Sequence, residues 1–260
     1  MRKNLSGVLL LTLAVSLPVF AQQRGAPAAS QPAPRTADGK ADLSGVWQGG
    51  GLGFTLGTDA TPAPTGGRGG VVATYKPEAY AKVQEYVARR GIDDPMARCL
   101  MVGVPRITSM PMPFQIIQMP NQVIFHYESF HVFRLIPTDG RKHPDDHDPS
   151  FMGDSVGRWE GDTLVVDVIG FNEKTWLGPV GSIHSDALHV IERYTRTSNE
   201  SMTYEVTIED PKVLTKPFTA RGTIRLLPGD RIREYECGEN NEDIQRLEKL
   251  LENESLFRRK

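Results

Sequence analysis

From Phe114 onward the chain repeats one unit: a short β-branched or aromatic run, then a turn, then another run. Runs at 114–119 and 123–128 flank Pro120-Asn121-Gln122, and a run at 131–136 ends at Thr138-Asp139-Gly140-Arg141. Runs at 155–159 and 163–169 flank Glu160-Gly161-Asp162, the clearest hairpin signal in the chain. Runs at 188–196, 202–209, 218–227 and 231–237 follow, the last two separated by Pro228-Gly229-Asp230. A parallel crossover needs about a dozen residues or more, so links this short make neighbours antiparallel. A sequential sheet of about nine strands curls into a barrel or splits into a sandwich. The reading is a mainly β fold, an antiparallel up-and-down barrel of about eight to ten strands. One helix is predicted before the strands, at 76–90, where Tyr80, Val83 and Val87 share a face and Gly91 follows as a C-cap. A second is predicted at 242–251, with Ile244, Leu247, Leu250 and Leu251 as its packing face.

The first twenty-one residues read as an export leader. Arg2 and Lys3 precede an apolar run at 8–17, and Val19-Phe20-Ala21 supplies a cleavage site. The run is about half the length that a membrane span needs. Residues 22–40, rich in Ala, Pro, Gln and Arg, read as a disordered linker. A single domain is predicted over 41–252, followed by a basic tail at 253–260. A second Gly-, Thr- and Pro-rich stretch at 49–70 reads as a long loop, and its Gly66-Gly67-Arg68-Gly69-Gly70 lacks the Lys-Ser/Thr of a phosphate loop. The chain carries 30 Lys and Arg against 32 Asp and Glu. Loss of the leader removes two of the bases, a balance that argues against nucleic acid as a partner. Cys99 and Cys237 are the only cysteines. In an exported protein such a pair reads as a disulfide, with two free buried thiols as the alternative.

Gly45-Val46-Trp47 resembles the Gly-x-Trp start of lipocalins and other calycins. That resemblance implies a Trp closing the barrel base under an Arg of a late strand, here Arg231 or Arg233. A longer resemblance rests on Asp94-Pro95-Met96-Ala97-Arg98-Cys99, Pro137-Thr138-Asp139-Gly140-Arg141, the stretch from Met152 to Asp167, and His184-Ser185-Asp186-Ala187-Leu188-His189. These are similar to a large family of exported bacterial proteins with no settled activity, which implies export and one domain and supplies no reaction. The family's acidic, Asn-rich stretch after a late Cys is matched by Cys237-Gly238-Glu239-Asn240-Asn241, with Gly238 as a departure.

Candidate chemistry centres on His184, Asp186 and His189, where a loop enters a strand. An imidazole and a carboxylate there meet the minimum for acid–base work if His189 points inward. A second group, His126, Glu128 and Arg134, places a carboxylate and a guanidinium near one another as an interior ion pair or a ligand anchor. Trp159 and Trp176 are the aromatics expected to line a pocket or its rim. His143, Asp145, Asp146, His147 and Asp148 read as a solvated loop, because Pro144 and Pro149 deny it the helix that i, i+4 histidine ligands need. Met110, Met112 and Met119 read as core and lip residues rather than a copper site. Ser155 precedes a strand, not the helix of a nucleophile elbow. The expectation is a protein binding a small hydrophobic or aromatic molecule in the barrel interior. The alternative is a cofactor-independent hydrolase, lyase or isomerase using His184, Asp186 and His189. A third possibility is an envelope interaction protein with no pocket. No cofactor, metal, nucleic acid or transmembrane segment is expected, and the sequence carries no signal for an oligomeric state.

Overall fold

The computed structural model describes residues 31–58, 71–89, 91–179, 181–239, 241–242, 245–246 and 249. The leader, the linker at 22–30, the glycines at 66–70, the packing face proposed for the last helix and the basic tail lie outside them. Nine strands form one antiparallel sheet: β1 (Gly45–Gln48), β4 (Pro113–Met119), β5 (Gln122–Tyr127), β6 (Phe133–Pro137), β7 (Asp154–Glu160), β8 (Thr163–Ile169), β9 (His189–Arg196), β10 (Ser201–Glu209) and β11 (Phe218–Leu226). The order β6-β5-β4-β1-β11-β10-β9-β8-β7 is chain order wrapped round until its ends meet. This is the nearly closed up-and-down barrel that the hairpin cadence predicts. Alternation sets the faces: in β10 Met202, Tyr204, Val206 and Ile208 are buried, while Thr203, Glu205 and Thr207 are partly exposed.

Nine is odd, so strands that alternate in direction bring β6 and β7 together running the same way. No ladder joins these two strands. Side chains close the seam instead: Arg134 Nε donates to Ser155 Oγ at 2.9 Å. A Cβ at Gly157 would lie 2.8 Å from Ile136 Cγ2, so glycine lets β7 approach β6 this closely. The link from β6 to β7 must return along the barrel's length, which explains its size.

The base follows the calycin expectation with a different arginine. Trp47 is fully buried and its Nε1 donates to Leu43 O at 2.9 Å. The guanidinium of Arg196, at the end of β9, lies 4.9 Å from the ring centroid and donates to the carbonyls of Asp42, Ser198 and Asn199. Arg231 and Arg233 lie elsewhere because residues 231–237 form no strand. β1 already pairs with the free edge of β11, and Arg231, Arg233, Glu234 and Glu236 give this segment no apolar face. It is held instead by Arg233 N to Glu128 Oε2, by Tyr235 N to His131 Nε2, and by the Cys99–Cys237 disulfide, whose Cα atoms are 5.6 Å apart.

The linker prediction is corrected at its C-terminal end. Arg35 bridges to Ala41 and its guanidinium grips Asp162 at 2.8 and 2.7 Å, so the domain includes residues before 41. Within the predicted loop at 49–70, β2 (Phe54–Gly57) pairs in parallel with β3 (Val71–Thr74). α1 (Pro77–Ala88) follows, with Val83 buried and Val87 45% exposed. α2 (Arg106–Ser109) is a single turn that the sequence reading missed. The strand expected from His131 starts at Phe133, because Ser129–His131 form a 3-10 turn with Phe130 and His131 at positive φ. Glu242, Gln245, Arg246 and Lys249 are helical and exposed. No helix among the described residues is long and apolar enough to cross a membrane.

Candidate functional site

The barrel axis is occupied by side chains. Phe125 of β5 meets Tyr194 of β9 with ring centroids 5.0 Å apart, although these strands stand on opposite walls. Phe114 stacks on Phe125 at 5.8 Å and Tyr204 on Tyr194 at 4.9 Å, which makes a continuous aromatic layer from β4 to β10. Beside it lies a buried polar group. Glu192 is fully buried; its Oε2 takes a hydrogen bond from Arg134 Nη2 at 2.5 Å, and its Oε1 accepts from Tyr194 and Tyr204 at 2.7 Å each. Burial works against the Arg134 charge, but Glu192 outweighs it and the guanidinium's pKa is raised. Burial pushes the Tyr127 hydroxyl up to about 12 and those of Tyr194 and Tyr204 well above their ordinary value. All three remain neutral, and Tyr194 and Tyr204 are the donors to Glu192. Arg134 Nη1 is buried without a partner among the described residues.

Arg134 is therefore interior, as the sequence suggested, but Glu192 and not Glu128 is its partner. Glu128 is occupied by the Arg233 backbone. His126 faces outward and stacks on Phe133 at 4.0 Å. Glu192 was missed because the face of β9 was left open; Val190, Glu192, Tyr194 and Arg196 form the buried face, and His189 lies on the other.

His184, Asp186 and His189 are not brought together. His184 is buried; its Nδ1–H donates to Ser185 O at 2.9 Å and its Nε2 accepts from Thr175 at 2.6 Å. Burial lowers its pKa, more strongly than Ser185 and Asp210 raise it. Asp186 points to solvent and pairs with Lys212 at 2.5 Å, which lowers its pKa. His189 stands on the outer wall, with Asp167 Oδ2 3.0 Å from Nε2 and Glu209 Oε2 3.2 Å from Nδ1. The second oxygen of Asp167 lies 2.9 Å from His143 Nε2, and His143 Nδ1 lies 2.5 Å from Asp154 Oδ1. The loop read as solvated is thus fastened by His143 to β7 and β8. Burial raises the Asp167 pKa, but hydrogen bonds from His189 and His143 prevail and hold it below the ordinary range. Among the described residues no three His, Cys, Asp or Glu side chains are placed to hold a metal ion.

Trp176 is buried against Tyr86 of α1 at 5.0 Å, and Trp159 packs on the barrel under Lys40. Neither lines the apolar cleft beside α2. That cleft, of about 400 Å³, lies at the end of the barrel opposite Trp47. Leu52, Phe54 and Leu56 form one wall, and Val87, Leu177 and Pro179 another, with Arg106 and Ser109 of α2 between them. A larger groove of about 530 Å³ runs over residues 49–53 and Arg221 and Arg225, but glycine backbone and arginines line most of it. A site for a small apolar molecule needs apolar walls and a few polar groups, and of these two the smaller cleft combines them. Its signal in the sequence is weak: glycine and proline around Leu52 and Leu177 mask apolar residues inside loops.

Comparison with protein-family models, with curated proteins and with solved structures gave no match for this chain.

Proposed function

We propose that this chain is an exported binding protein that takes one small hydrophobic or aromatic molecule in the cleft at the end of its barrel. The observation that carries the reading is the Phe125–Tyr194 contact. It occupies the axis where a calycin-like barrel would seat its ligand, and so turns the reading to the apolar-walled cleft at the mouth. About 400 Å³ falls within the range for small-molecule sites. The separation of His184, Asp186 and His189 favours binding over acid–base catalysis. The half-buried disulfide and the resemblance to exported proteins support a compartment outside the cytoplasm.

Titration of the purified protein with the neutral dye N-phenyl-1-naphthylamine tests this. Saturable fluorescence enhancement is expected, lost in Val87→Trp, which fills the cleft from an exposed helix position and leaves the melting temperature unchanged. Equal dye binding by the native protein and V87W sinks the proposal.

A further inference from the structure

We infer that the ligand carries an uncharged hydrogen-bond acceptor, a carbonyl or ester oxygen on an apolar body, and that Arg106 Nε–H is the group that selects it. This rests on the cleft being the binding site. The side-chain polar hydrogens around the cleft are nearly all spent inside the protein. Ser109 Oγ donates to Arg106 O at 2.9 Å, and Thr55 Oγ1 donates to Val71 O at 3.3 Å. Arg106 gives Nη1 and Nη2 to Asp94 at 2.8 and 2.7 Å, and Nη2 also approaches Met96 Sδ at 3.5 Å. Its Nε has no partner among the described residues, yet it is not among their buried unpaired atoms, so it reaches accessible surface. The side chain is only 9% exposed, and the surface it retains borders the cleft. The cleft thus presents one unspent side-chain donor, Arg106 Nε–H, in apolar walls. An apolar molecule without an acceptor leaves that donor dry and unpaired, which is costly.

The charge of the preferred molecule follows from the same pair. The bidentate Asp94 already neutralises the guanidinium. An ionised carboxylate entering the cleft would lose water and meet no net positive charge, whereas a carbonyl or ester oxygen loses little water and gains the N–H. The site therefore discriminates in the order neutral acceptor, then plain hydrocarbon or carboxylate.

Displacement of N-phenyl-1-naphthylamine by decane, methyl decanoate and decanoate at pH 8 tests the order. Methyl decanoate is expected to act at a concentration on the order of 10-fold below the other two, the worth of one hydrogen bond from a charged donor. Arg106→Lys keeps the charge beside Asp94 and removes Nε–H; it is expected to bring the ester-to-alkane ratio to about 1 while decane is unaffected. Equal displacement by ester and alkane from the native protein, or tighter binding of decanoate, overturns the ligand class and leaves the cleft reading standing. If none of the three displaces a bound dye, both fall together. The native ratio decides even if R106K does not fold.

Discussion

Phe125 and Tyr194 touch across the full width of the barrel, one ring from each wall. The contact makes the interior a packed core, and truncating one partner should convert it to a cavity. Phe125→Ala is expected to cost about 3–5 kcal/mol, read from urea denaturation. A dry apolar cavity of that size also takes up small aromatics, so benzene should raise the melting temperature of F125A and leave the native protein unmoved.

Glu192 holds a buried guanidinium and two buried phenols at once. Glu192→Gln still accepts from the phenols but leaves Arg134 without a counter-charge. The expected loss is about 3–5 kcal/mol by chemical denaturation. The double variant R134M/E192Q removes the stranded charge and should recover part of it; a double variant no better than E192Q would show that charge is not the cause.

Much of this architecture could be read from the residues and some could not. The hairpins at Pro120-Asn121 and Glu160-Gly161-Asp162 were legible because turn chemistry and period-two alternation agree there. The strand expected at 231–237 failed for a tertiary reason: β1, far away in sequence, takes the edge of β11 that it would have used. Arg134 was legible as interior, yet its partner lies 58 residues further on in a strand whose faces are both mixed. The chain of contacts from Asp154 through His143, Asp167 and His189 to Glu209 joins five separate segments, and no local spacing announces it.

Stability should fall in two steps on acidification. His184 has a folded pKa below its ordinary 6.5, so below that value the unfolded chain takes up a proton that the folded one refuses, and stability declines. Asp167 has a folded pKa below 3.8; its contribution persists above that value and is lost as pH falls through the lower, folded one. Thermal melts from pH 8 to 3 should show both phases, and His184→Gln should shrink only the first, to the part that the less buried His126, also lowered by burial, supplies. A variant that retains the first phase undiminished would assign it to another group.

Arg196 lies over Trp47 and binds three backbone carbonyls. Arg196→Lys keeps the charge but not the planar fork, and is expected to cost about 2 kcal/mol, with a red-shifted tryptophan emission as water reaches the base. An unchanged melt and spectrum would mean that Trp47 closes the base unaided.

The unladdered joint between β6 and β7 divides the molecule along its length. A break in the peptide chain within residues 138–153 would separate no pair of hydrogen-bonded strands. The two fragments would still share the short ladder of Trp47 and Gln48 with Leu226 and Arg225. The protein is therefore built as two half-shells held together by that ladder, by the Cys99–Cys237 disulfide and by the Arg134–Glu192 and Phe125–Tyr194 contacts, and it is a natural subject for reassembly from complementary pieces.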